Sequence, residues 1–261
     1  MRFAVAFTAL LLAAAPLANG ALAAPTAAEA RVDKDRQIVQ KAMRSDLKKI
    51  QAMVPALEDV ASRTPSAYPL IERKGDLVIV RASDLDQGMI PALIAGATGK
   101  DANPSGSTRV DIEYNTYGQA IFLLGSAAVE ARDMRKATFW LDKGLALQPD
   151  NLMLVTEKGM VLTVQKRHAE ALALYEATFE NASGMLLGDE PGKARLLRAK
   201  GFTLIELNRL DEAEAAYKAS REIEPDHGGA KHELAYIAQL RAGAEQRGMK
   251  LVNGEESKAL K

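Results

Sequence analysis

Few residues in this chain are suited to chemistry. Its three histidines are His168, His227 and His232, and cysteine is absent. Without cysteine there is no disulfide, no thiolate zinc site, no iron–sulfur cluster and no thiol nucleophile. His232-Glu233-Leu234-Ala235-Tyr236 falls one residue short of the zinc-peptidase pattern, in which two histidines one helical turn apart bind the metal beside a glutamate base. Tyr236 stands where the second ligand would be, and His227 lies five residues from His232, an awkward separation for sharing one helical face. His168 opens a helix and reads as a surface residue. Gly96-Ala97-Thr98-Gly99-Lys100-Asp101 has the glycines and lysine of a phosphate loop at the wrong spacing, with Asp101 in place of the magnesium-binding hydroxyl. Ser45-Asp46-Leu47-Lys48 matches a serine–lysine hydrolase tetrad with none of its companion motifs, and it lies in a charged amphipathic stretch. Asn181-Ala182-Ser183 is a glycosylation sequon in form only. The expectation is no metal, no cofactor and no catalytic residue.

The elements around these residues begin with an address. Arg2, an apolar run from Phe3 to Ala15, and the small triplet Ala21-Leu22-Ala23 follow the order of a cleavable secretory signal. The expected cut follows Ala23, since a cut after Ala24 would leave Pro25 just beyond the scissile bond. The apolar core is short of the ~20 residues that span a bilayer, so no membrane span is expected after cleavage. Periplasmic or secreted localisation, bacterial in style, is the expectation; retention of the signal as an anchor is the alternative. Lys+Arg and Asp+Glu both number 34, which gives no electrostatic pull toward nucleic acid.

From Glu29 to Ala61 the pattern is helical, with Met43, Leu47, Ile50, Val54, Leu57 and Ala61 on one stripe. Pro55 predicts a break or kink at Val54. The stripe suits docking onto the rest of the chain, with self-association as the alternative. Leu70-Ile71 and Leu77 to Val80, joined by Lys74-Gly75-Asp76, read as a hairpin. Val110, Ile112 and Tyr114 alternate with Asp111 and Glu113 as in a half-buried strand, and residues 96–108 read as a loop.

Beyond Thr116 the sequence repeats. Gly125, Gly159 and Gly201 are spaced by 34 and 42 residues, and Ala137, Ala171 and Ala213 keep those offsets, as do Leu141, Tyr175 and Tyr217. Several markers sharing one period signify a repeat array. Each unit reads as two helices with a turn at Arg132-Asp133 in the first and Asn208-Arg209 in the third; Pro149 and Pro225 close their units. The glycine allows close approach of the second helix, and a large residue fills the space between. The eight extra residues before the third unit include Met185-Leu186-Leu187, read as packing onto the neighbouring unit or touching a partner. Leu234, Ile237 and Leu240 mark a covering helix from Gly228 to Arg241, which a solenoid needs over its last apolar face.

With Leu124-Gly125, Ala137, Leu141, Gly144 and Pro149 in the first unit, Gly159, Ala171, Tyr175 and Thr178 in the second, and Gly201, Ala213, Tyr217, Ser220 and Pro225 in the third, the chain resembles the tetratricopeptide repeat family. Ser183 stands where proline is usual, and Ile121, Val155 and Leu197 replace the aromatic common in the first helix. The resemblance implies a mostly α fold: a helical-repeat solenoid of three units plus a capping helix over 116–242. A signal peptide (1–23) and a helix with a small α+β region (24–115) precede it, and a polar tail (243–261) follows. It also implies a concave groove that takes a protein or peptide. Carried over position by position, the groove is lined by Gln119, Phe122, Ser126 and Val129, then Met153, Thr156, Met160 and Thr163, then Arg195, Arg198, Phe202 and Ile205. Such a groove is apolar and adaptable in the middle and basic at one end, where Arg195 and Arg198 suit a carboxylate. Phe122, Ser126 and Glu157 replace the Lys and Asn residues of the family's chaperone-tail clamp, so that specificity is not expected. The expected function is an exported scaffold or adaptor that is not an enzyme. The alternatives are an enzyme with its site in residues 62–114 and a self-associating structural protein.

Overall fold

The computed structural model describes residues 26–83, 88–89, 109–180 and 189–246. The leader, the glycine-bearing 96–108 segment, the sequon, Met185-Leu186-Leu187 and most of the tail lie outside the described residues.

Two helices open the described chain. In α1 (Ala27–Met43) Thr26 and Glu29 form a reciprocal capping box, Glu29 N–H donating to Thr26 Oγ1 at 3.2 Å and Thr26 N–H to Glu29 Oε2 at 2.7 Å. In α2 (Leu47–Ser62) the Asp46 carboxylate caps the Lys49 amide at 2.9 Å. The break expected at Pro55 therefore falls at Arg44–Asp46 instead. Asp46 supplies a helix start there, while Pro55 stays inside α2 on its solvent side, where the carbonyl it leaves free can turn to water. The stripe docks inward: Ile50, Leu57 and Ala61 are buried in one cluster with residues of the first repeat and Met43 and Val54 pack against it, though Leu47 remains exposed; Val60, off the stripe, is buried there too. Arg63 locks the pair, donating to the buried Asp35 at 2.6 and 2.9 Å and to Asp59 at 2.7 Å.

The hairpin forms as read. β1 (Ile71–Lys74) runs antiparallel to β2 (Leu77–Ala82) across Gly75, whose φ of +61° suits glycine. β3 (Arg109–Tyr114) lies parallel to β2, from Leu77 opposite Arg109 to Ala82 opposite Tyr114, so β3 is an edge of the three-stranded sheet. Polar and aromatic contacts fasten the sheet to the helices. Arg81 stacks 4.2 Å over the Tyr68 ring, and Tyr68 meets Tyr117 edge-on at 5.1 Å. The buried Gln148 donates to Tyr68 O at 3.0 Å and exchanges bonds with the Asn115 amide at 3.0 and 2.8 Å.

The repeats follow as α3 (Thr116–Glu130) with α4 (Met134–Leu147), α5 (Leu152–Val164) with α6 (His168–Glu180), and α7 (Glu190–Glu206) with α8 (Leu210–Ile223). α9 (Gly228–Arg241) covers the end, burying Ile237 and Ala230. The glycines act as expected. A Cβ on Gly125 would stand 2.8 Å from Leu141, one on Gly201 2.8 Å from Tyr217, and one on Gly159 would enter the Tyr175 ring. Each large residue thus occupies the volume of a missing side chain. The turns carry a marker that the residue types conceal. Arg132, Lys166 and Asn208 all adopt φ between 56 and 59° at equivalent positions, and the next amide in each unit bonds back five residues into the first helix at 2.9 Å (Asp133 to Ala128, Arg167 to Leu162, Arg209 to Leu204).

Candidate groove on the concave face

The first helices of the units, α3, α5 and α7, stand side by side, and one hydroxyl pair joins the last two: Thr163 Oγ1 lies 3.0 Å from Thr203 Oγ1. Of the twelve positions expected to line the groove, the structure divides them by what their neighbours take. Phe122, Ser126 and Val129 on α3, Met153 and Met160 on α5, and Phe202 on α7 are half-buried, the exposure of a groove wall, and Arg195 is exposed. Thr156, Thr163 and Ile205 are instead buried, at 7%, 2% and 1% exposure, Thr163 against Thr203 of the next first helix and Ile205 in the apolar cluster with α8 and α9. Gln119 is also buried, at 2%, and borders cavities on two sides. Arg198 turns away from Arg195 to an ion pair with Glu224 at the end of α8, at 2.5 Å, so its guanidinium ties two helices together. The arginine pair is thereby reduced to Arg195 as the open cation.

One groove residue was noted in the sequence only for what it is not. Glu157, half-buried on α5, accepts a hydrogen bond from Ser126 Oγ on α3 at 3.1 Å. Burial pushes its carboxyl above the usual range, while the Ser126 bond and the charge of Arg195 draw it back. Ser126, Glu157 and Arg195 thus run across the three first helices, flanked by phenylalanine and methionine. The only sequence signal for Glu157 was a lone acid within the apolar run Leu152 to Val164.

At one end the row meets the sheet. Ser83, just past β2, places its hydroxyl 4.0 Å from Met153 Sδ. A small cavity of about 40 Å³ opens here among Ser83, Arg81, Asn115, Gln119, Phe122 and Met153. A wider groove of about 1140 Å³ lies on the other side of Gln119, between α1 and β3.

His168 is half-buried at the start of α6, and the other two histidines take a structural and a surface place. His227 Nδ1 accepts the Ala230 amide at 3.1 Å as the cap of α9, and His232 is an exposed side chain. Ser45 donates to Lys41 O at 2.8 Å. Among the described residues no three His, Asp or Glu side chains gather as a metal site, and no helix is long and apolar enough to cross a membrane.

The tetratricopeptide repeat family model matches residues 151–225, which cover the second and third units, so both sequence pattern and fold support that repeat family here. Among solved structures, the first such domain of human RPAP3 is similar at 22% identity, covering 48% of this chain and 92% of that one, with a TM-score of 0.42. The first repeat domain of Spaghetti (RPAP3) bound to an HSP90 peptide is similar at 21% identity over 48% and 96%, with a TM-score of 0.42. MamA AMB-1 is similar at 18% identity over 82% and 84%, with a TM-score of 0.45. No curated protein matches the chain.

Proposed function

We propose that this chain is an exported adaptor that holds a segment of another protein along the inner face of its repeats, by contact and without turnover. The observation that carries this reading is the row itself. Phe122, Val129, Met153, Met160 and Phe202 stay half-exposed across three stacked helices, most of whose other apolar residues are buried. Half-exposed aromatics and methionines in line gain by being covered, and methionine adapts to more than one shape. The polar line Ser126–Glu157–Arg195 crosses the same face and gives an extended segment hydrogen-bonding and charged groups to register against.

The test is a peptide-display selection against the full chain without residues 1–23, run beside a Phe122→Ala/Met160→Ala/Phe202→Ala variant. Recovery of peptides that bind the parent and lose at least ~30-fold on the variant supports the groove, at roughly 1 kcal/mol or more for each central anchor. Equal binding by both, or no enriched sequence, contradicts it. Export rests on the first 23 residues; amino-terminal sequencing of material released by osmotic shock is expected to begin at Ala24.

A further inference from the structure

The wider groove lies outside the repeat row and has its own chemistry. One wall is a single face of α1, where Val32, Arg36, Gln40 and Met43 recur at helical spacing. The opposite wall is β3, which contributes Ile112, Glu113 and Tyr114. Consecutive strand residues point to opposite faces of a sheet, so three in succession can line one groove only if it runs along the edge of the strand. β3 is that edge.

The hydrogen-bond phase of β3 follows from its two ends. Arg109 N–H donates to Asp76 O and Asn115 N–H to Ala82 O, both at 2.9 Å, so the odd-numbered residues face β2. The even-numbered residues turn their N–H and C=O groups outward, toward the groove. Among the described residues, Ile112 makes no backbone bond on that side, and Tyr114 O receives only the Tyr68 and Thr116 hydroxyls at 3.5 and 3.4 Å. At the inner end of the groove Gln119 is 2% exposed, and neither its amide nitrogen nor its amide oxygen has a partner. A buried primary amide lacking both bonds is costly unless something supplies a donor and an acceptor together, as a peptide group does. The charge of the site is also one-sided. Arg44 has no ion pair among the described residues and Arg36 is joined only to Asp33, whereas the Glu113 carboxylate already faces Arg81 at 3.4 Å.

We propose that this groove takes an extended acidic segment of a partner protein, added to β3 as a fourth strand, with its carboxylates toward Arg36 and Arg44 and its inner end on the Gln119 amide. The site is separate from the row of Phe122, Met160 and Phe202 and stands or falls without it.

The probe is a blocked eight-residue peptide of alternating valine and glutamate, with a matched peptide N-methylated at alternate amides. Titration of the full chain without residues 1–23, followed by amide NMR, is expected to show binding with slowed exchange at Ile112. N-methylation should weaken it more than ten-fold, since about three hydrogen bonds are lost. Arg44→Glu should weaken it about three-fold at low salt, and Phe122→Ala/Met160→Ala/Phe202→Ala should leave it unchanged. Equal affinity for the methylated peptide, absence of binding at millimolar concentration, or a concentration-dependent dimer that protects Ile112 without peptide each overturns the proposal; the last result would assign the edge to a second copy of this chain.

Discussion

The two halves of this molecule are held together differently. In the repeats, cohesion comes from a shape made three times, a glycine on the first helix receiving Leu141, Tyr175 or Tyr217 from the second. Ahead of them, α2 also packs an apolar face on the first repeat, but the ties that fix its parts occur once each and are polar: Arg63 on Asp35 between α2 and α1, Gln148 on Tyr68 O and Gln51 on Ala127 O across to the array. A repeated apolar fit spreads stability along the stack, whereas a singular polar fit concentrates it. The difference bears on function, because the row of phenylalanines and methionines rests on the first kind of support and the β3 groove on the second.

The sharpest way to break the comparison is to overfill one repeat. Gly159→Leu should unfold the array or cost ~3 kcal/mol or more, because Tyr175 is fully buried with no room to yield; adding Tyr175→Ala should restore part of the loss in a denaturant melt. If Gly159→Leu alone is tolerated, the shape argument fails. Next comes Asp35→Ala, which leaves the Arg63 guanidinium without its buried partner. A loss of about 2–3 kcal/mol is expected, moderated because Arg63 is partly exposed and keeps Asp59. A loss as small as that of a surface pair would remove the contrast between the halves.

Two smaller effects sharpen it. Lys166→Gly should stabilise by roughly 0.5–1 kcal/mol, since a lysine at φ 59° bears a strain that glycine does not; Asn208→Gly should gain less, because asparagine tolerates that region. Glu157→Gln should raise the melting temperature slightly at neutral pH. The folded protein holds the Glu157 carboxyl above its ordinary 4.5, so it binds more protons than the unfolded chain just above that value, and stability falls as pH rises through that window. The advantage of glutamine should therefore shrink as pH drops below about 4, and an advantage independent of pH would contradict the burial argument.

Much of this contrast was legible in the residues. The glycine–large-residue pairs could be read because each partner lies within one unit and recurs at a fixed offset. The hairpin around Gly75 and the cap over Leu234, Ile237 and Leu240 are local in the same way. The break between α1 and α2 was misplaced because proline is the louder signal and Asp46 the one that acts. Within the groove, Arg198 was read by its distance from Arg195, but its partner Glu224 lies on another helix. Thr156, Thr163 and Ile205 share the spacing of the groove row, yet neighbouring helices cover them, and no periodicity within one helix carries how its neighbours are set against it. The polar bonds of the front half each join residues tens of positions apart and occur once, so no pattern announced them.

The most direct test of the repeat groove is amide shift mapping with a peptide recovered by selection. Binding along the inner face should perturb α3, α5 and α7 together, centred on Ser126, Glu157 and Phe202, while α4, α6 and α8 change little. Perturbation centred on the second helices, or confined to β3 and α1, would contradict the assignment of the inner face as the binding surface.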